Sequence, residues 1–269
     1  MSSTPILDNK DPSAPSVFEP TALLREARRQ KDLPIVGVPA LCVLDPDGDI
    51  LRGLRRSGHP RRLRSWACYY TELYTFAHEG EGFGIIGCAV GAAFAVLLAE
   101  ELFACGCQFL VSVTSAGQIL AQGETPYFVL IDRALRDEGT SYHYLAPSEF
   151  AEADLTLVAA ALEKLRGAGQ PIYRGAAWTT GAPFRETEAA IGQARARGIL
   201  AVEMEAAALY AFAAARRKAV LCFAHVSNRM AVESDDFEKG DAHGSAAALA
   251  VIAAAARGWR RARQAPGPG

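Results

Sequence analysis

Short apolar runs rich in Val, Ile and Phe alternate with longer Ala-rich stretches along this chain, and that alternation restricts the fold more than any other feature. Residues 84–90, 109–114, 127–133, 172–179 and 220–226 have the length and composition of buried strands. Residues 92–105, 154–167, 186–197, 203–217 and 245–263 have those of helices. Strands separated by helices are joined by crossovers, which favour parallel pairing and cover both faces of the sheet. The expectation is α/β, a single domain with a central mixed, largely parallel β-sheet flanked by helices. Half of the 269 residues are apolar, enough for one large core. The domain is expected over residues 19–263, with residues 1–18 and 264–269, rich in Pro and small polar residues, as a disordered leader and tail.

A net charge of −2 gives no global basic field to recruit nucleic acid. The Arg-rich stretch 52–64 reads as a solvated or subunit-contacting segment. The six cysteines match neither a zinc site nor a secreted disulfide framework, which fits a reducing cytoplasm. No apolar run approaches the roughly 20 residues needed to span a bilayer.

Residues 202–210, VEMEAAALY, place two acids and a thioether inside a run otherwise built for burial. Ala and Leu favour helix, so the acids are expected to project from a first helical turn into a cleft. Buried carboxylates need partners, and a polyol would supply them, since one carboxylate accepts hydrogen bonds from two adjacent hydroxyls. The same pattern also suits a plain amphipathic helix whose acids favour its positive end.

Two further motifs bear on that choice. Residues 87–93, GCAVGAA, end a strand and open a helix, so their backbone N–H groups could face a ligand oxygen. Residues 113–119, VTSAGQI, end the next strand. Together with Glu203-Met204-Glu205, these segments resemble the signature of the nucleoside phosphorylase superfamily: uridine and purine nucleoside phosphorylases and the methylthioadenosine/adenosylhomocysteine nucleosidases. The resemblance implies that Glu205 binds the ribose 2′ and 3′ hydroxyls, that Met204 packs on the sugar, and that Ser115 lies near the ribose and the nucleophile. It implies a pocket role for His143 and Tyr144, and base stacking for Phe184. Purine-type members carry Asp where this chain has Asn228, and the Asn228-Arg229 pair is more similar to uridine phosphorylases, where the Arg stabilises charge on the departing base. A nucleoside substrate and a homo-oligomer are implied. No metal or organic cofactor is, with phosphate as a possible co-substrate.

Taken alone, several of these residues have plainer readings. Ser115 suits a turn, His143 a structural position, and Phe184 a staple for the following helix.

The resemblance departs at the phosphate site. Aligning residues 41–50 with the family's first loop puts Asp45 on its Gly and Asp49 on its Arg; Ser112 falls where a second Arg belongs, and Tyr69 near a partner-supplied Arg. Unit charges 4 Å apart interact by ~4 kcal/mol at an effective dielectric of 20, so replacing an attractive Arg by Asp is a large reversal. Either Arg52, Arg55, Arg56 or Arg185 rebuilds an anion site, or the acceptor is water. In the second case Asp49, with Asp47 competing, would activate it as the nucleosidases' first-loop Glu does. The Asp-Pro-Asp-Gly-Asp run also suits a plain turn. The leading expectation is phosphorylase-type cleavage of a nucleoside's N-glycosidic bond with an atypical phosphate site. A nucleosidase, or a nucleoside-binding protein without turnover, is the alternative.

Overall fold

A computed structural model of the chain describes residues 4–58, 60–167, 169–229 and 239–264. Ten strands among them form one mixed sheet. β1 (Leu41–Asp45) lies between β4 (Glu81–Gly87) and β5 (Phe109–Gln118), and β5 pairs onward with β10 (Ala219–Asn228), all parallel. β2 (Arg61–Arg62) and β3 (Tyr74–His78) extend the β4 edge antiparallel. Beyond β10 come β6 (Tyr127–Asp137), β8 (Ile172–Thr180) and β9 (Ile199–Glu203), with β7 (Phe150–Glu152) attached to β6. β9 returns to β5 through Gly117↔Val202 and Gln118↔Ala201. β5, β10, β6, β8 and β9 therefore close into a ring, and β1 to β4 form a wing on it. The longest pairings, β5 with β10 and β6 with β8, are parallel.

Every residue of β1 and β9 is buried, as strands covered on both faces require. The covering helices are α1 (Pro20–Lys31), α2 (Asp49–Arg56), α3 (Ala92–Ala104), α4 (Leu155–Leu165), α5 (Glu188–Ala196), α6 (Ala206–Arg216) and α7 (Ser245–Gln264). Their ends follow local chemistry. Asp154 caps α4 by accepting the Thr156 N–H at 2.8 Å, and Thr187 caps α5 through the Ala190 N–H. α4 and α7 meet at Gly258, where a Cβ would stand 2.7 Å from the Ala160 carbonyl oxygen and 2.8 Å from the Ala161 Cα. Only glycine permits that approach. No helix among the described residues is long and apolar enough to cross a membrane.

The expected α/β class and mixed sheet are present. Strand cores and helices fall where the apolar runs put them, while α1, β2, β3, β7 and β9 lack a comparable signal. One boundary needs correction: the helix expected over 203–217 is two elements, because Glu203 ends β9 and α6 begins at Ala206. Asp49, expected in a loop, opens α2.

α6 runs through the core with Ala206 to Phe212 all buried. Its Tyr210 hydroxyl donates to the Ile131 carbonyl at 2.6 Å and accepts the Cys222 N–H at 2.9 Å, tying the helix to β6 and β10. Tyr210→Phe leaves a buried donor and a buried acceptor unpaired. Its expected cost is about 1–3 kcal/mol, measured by chemical denaturation.

Candidate active site

The turn from β9 into α6 is built on Glu203. Its Oε2 accepts the backbone N–H groups of Glu205 and Ala206, each at 2.7 Å, and its Oε1 accepts the Thr179 hydroxyl. Thr179 Oγ1 in turn accepts the Ala207 N–H at 2.9 Å. The first acid of the Glu-Met-Glu motif is thus consumed as a helix cap, satisfying amides that would otherwise be orphaned in the core. Burial raises its carboxyl above the ordinary carboxylate range against these hydrogen bonds.

Glu205 is different. It is 1 % exposed, its Oε1 accepts the Gly91 N–H at 2.6 Å, and its Oε2 is buried without a hydrogen-bond partner among the described residues. Burial raises this carboxyl too, the Glu203 charge adds to it, and the Gly91 amide and Thr114 hydroxyl oppose it. Gly91, at φ +94, closes the Gly-rich turn between β4 and α3, so the motif's predicted backbone donor meets the motif's second acid. Met204 is half-buried between the two acids.

A second cluster stands at the carboxyl ends of β1, β5 and β10. Asp45 caps α2, accepting the Gly48 N–H at 3.1 Å and the Leu51 N–H at 2.9 Å. Burial pushes its carboxyl up to about 7, and the charges of Asp47 and Asp49 add to that. Asp47 Oδ2 accepts the Ser115 N–H at 2.6 Å. Asp49 pairs with Lys239 Nζ and Arg52 Nη2, both at 2.6 Å. Burial works against its ionisation, but these two cations outweigh it and hold the carboxyl below its ordinary range. Lys239 Nζ also donates to Ser115 Oγ at 3.0 Å and lies 3.8 Å from Asp47.

His225 stacks on Phe128 with ring centroids 4.5 Å apart, and burial lowers its pKa to about 4, so it is neutral near pH 7. Gly244, at φ +73, lies against it: a Cβ there would stand 2.3 Å from the imidazole Cε1. The three aspartates, Ser115, His225 and His243 line a cavity of about 20 Å³.

The other expected residues are placed as follows in the fold. Asn228 is buried at a bulge ending β10, its amide 3.5 Å from the Ala116 carbonyl, and Arg229 is exposed just beyond it. Phe184 is 99 % exposed on the turn Pro183–Arg185, and Arg185 is exposed beside it. His143 is exposed on the turn Thr140–His143 and lines a separate groove with Ile6, Thr140 and Arg216. Its neighbour Tyr144 packs on Phe212, well along α6 from Glu205. A groove of about 940 Å³ lies at the amino ends of β5 and β10, lined by Gln108, Lys218 and Trp259.

Two members of the acid cluster carry no sequence signal of their own. Lys239 lies in a polar stretch before α7, and His225 inside an otherwise apolar strand. Of the arginines expected to rebuild an anion site, Arg52 is tied to Asp49 and to the Asp47 carbonyl at 2.6 Å, and Arg55 reaches Glu72 at 3.9 Å. The cation that reaches Ser115 is Lys239. Among the described residues no group of His, Cys, Asp and Glu is arranged to hold a metal ion.

This ring of strands, with an acid beside a Gly-rich turn, has counterparts among known proteins. Residues 59–257 match the phosphorylase superfamily. The chain belongs to that family, which places it with the enzymes of nucleoside phosphorylase type. It is similar to the DeoD-type purine nucleoside phosphorylase of Colwellia psychrerythraea strain 34H, 26% identical over 159 residues that cover 58% of this chain and 68% of that protein. Among solved structures it resembles uridine phosphorylase from Vibrio fischeri ES114. The complex with 6-hydroxy-1-naphthoic acid has a TM-score of 0.70 at 20% identity, covering 83% of this chain and 92% of that one. A second structure of that uridine phosphorylase gives 0.69 with the same identity. The acid loop and α2 lie outside the stretch matched to the family.

Asp45 supplies a pH test of the cluster. It binds its proton more tightly in the folded chain, at about 7 against an ordinary 3.8, so the stability it contributes is full below the lower value and is lost as pH rises toward the upper. Asp45→Asn removes that loss. Thermal unfolding from pH 4 to 8 is expected to show the stability difference moving steadily in the variant's favour.

Proposed function

We propose that the protein cleaves the N-glycosidic bond of a nucleoside, with Glu205 gripping the ribose diol and water as the acceptor. The observation that carries the first part is the buried, unpartnered Oε2 of Glu205, whose companion oxygen is already fixed by Gly91. A buried acceptor of this kind costs free energy until a donor arrives, and vicinal hydroxyls are suitable donors. The raised proton affinity of Glu205 fits a site that waits for donors before it ionises fully. Met204 packs on the sugar in this reading, Phe184 offers a face to the base, and Asn228 and Arg229 stabilise the departing heterocycle. Homo-oligomerisation belongs to the same reading, with a second copy covering the open side where Phe184 stands.

The acceptor side supports water. About 10–15 Å³ of free space holds one water molecule, and the cavity among Asp47, Asp49, Ser115 and His225 offers about 20 Å³. The proposed step has water attack C1′ while its proton passes to Asp47; the C1′–N electron pair leaves with the base, which is protonated from solvent, and free pentose remains. Asp47 suits the base role better than Asp49, because Asp49 is engaged by two cations at 2.6 Å and held weakly basic.

Phosphorolysis is the second reading, favoured by the family match and by the donors Ser115 N–H and Lys239 Nζ.

Incubation with uridine, inosine and other nucleosides, with and without phosphate, separates the two. Free pentose at a rate independent of phosphate is expected; pentose 1-phosphate would select the second reading. Saturable binding without any product would leave a binding protein. Glu205→Ala is expected to weaken nucleoside binding at least 10-fold, since each hydrogen bond to a charged group contributes about 1.5–3 kcal/mol. Asp47→Asn should lower kcat by about 10²–10⁴ with little change in KM, and Asp49→Asn by less.

A further inference from the structure

Ser115 carries what an oxyanion needs: a backbone N–H, a hydroxyl, and a lysine ammonium within hydrogen-bond reach. Two carboxylates of the chain already use the amide and the ammonium. Asp47 Oδ2 sits on the Ser115 amide at 2.6 Å, as an external anion's oxygen would, and Asp49 holds Lys239 at 2.6 Å from the other side. Arg52 is held by the same acid and by the Asp47 carbonyl, both at 2.6 Å. We infer that Lys239 and Ser115 form a latent oxyanion position which Asp47 and Asp49 keep filled, so that these two acids select the acceptor by excluding phosphate.

The physics is a competition for the same donors. An incoming dianion must displace Asp47 from the Ser115 amide and then sit within a few Å of two carboxylates. Like charges at such separations repel strongly in a partly buried cleft. The ammonium that would offset this repulsion is already neutralised. Lys239 has a further effect on Ser115: by donating to Oγ at 3.0 Å it occupies an acceptor lone pair and leaves the hydroxyl hydrogen to point elsewhere. The neutral, buried His225 across from Ser115 adds no positive charge to help an anion.

This deepens the hydrolytic reading, because it concerns the acceptor side of the same site, but its test does not depend on turnover. Inorganic phosphate is titrated by calorimetry into the full-length protein, into Asp47→Ser/Asp49→Asn, and into that double variant carrying Lys239→Met. The wild type is expected to show no saturable binding at millimolar phosphate. The double variant should bind, and Lys239→Met should weaken that binding about 10-fold or more, as loss of one partly screened ion pair implies. Should the double variant fail to fold by circular dichroism, Asp47→Asn/Asp49→Asn keeps the side-chain shapes and removes the charges.

Wild-type binding as tight as the variant's overturns the inference, and so does variant binding indifferent to Lys239. A wild type that releases free pentose while neither double variant binds phosphate removes this inference and leaves hydrolysis standing. Lys239-dependent phosphate binding in the variant, with no nucleoside cleaved by any form, supports the latent site and removes the hydrolytic reading.

Discussion

The Glu203 carboxylate is the interaction on which the site depends. Two amides at the start of α6 and the Thr179 hydroxyl all converge on it, so β9 can stop in the core and a helix can start without orphaned N–H groups. That turn fixes the direction of the next acid. Glu205 leaves it pointing at Gly91, where a second strand-to-helix turn supplies a backbone donor. Two buried acids two residues apart thus have unlike duties, and the difference is set by where each finds its donors. Glu203 finds three in the protein. Glu205 finds one for its Oε1, while its Oε2 is buried without a hydrogen-bond partner among the described residues.

Much of this was legible from the chain itself. Buried strands such as β5 and β10 announce themselves because residues 109–113 and 220–224 are buried and nearly all apolar. Helices with polar caps, α4 and α5, are also plain. β9 was not, because Ile199 to Val202 runs directly into Glu203 and an Ala-rich helix, and a short apolar run beside a strong helix former reads as part of the helix. The Glu205–Gly91 pairing could be anticipated from two motifs that each need a partner. Lys239 could not. It reaches Asp49 across 190 positions of sequence, and nothing in a polar stretch before α7 marks one lysine as the partner of an acid loop.

The acid loop shows how three neighbouring acids in a cleft can each be answered by the chain's own groups. Asp45 is used as a helix cap, Asp47 as an amide's acceptor, and Asp49 as a counter-ion for two cations. Each acid answers a different local demand, so the run is neither a bare turn nor a simple replacement of a phosphate loop. Its charge is balanced from residues at both ends of the fold: Arg52 from α2 and Lys239 from the approach to α7.

The ring of strands is closed by two ladder pairs, Gly117 with Val202 and Gln118 with Ala201, followed by the Ile119 and Leu120 N–H groups on the Leu200 carbonyl. That seam adjoins Ser115 and Glu203, so the shortest join of the barrel and the candidate pocket share one stretch of backbone. In the proposed reading, a sugar gripped by Glu205 beside this seam would act as a clasp on the barrel wall. Substrate affinity and the mechanical integrity of the sheet would then be coupled through the same few peptide groups.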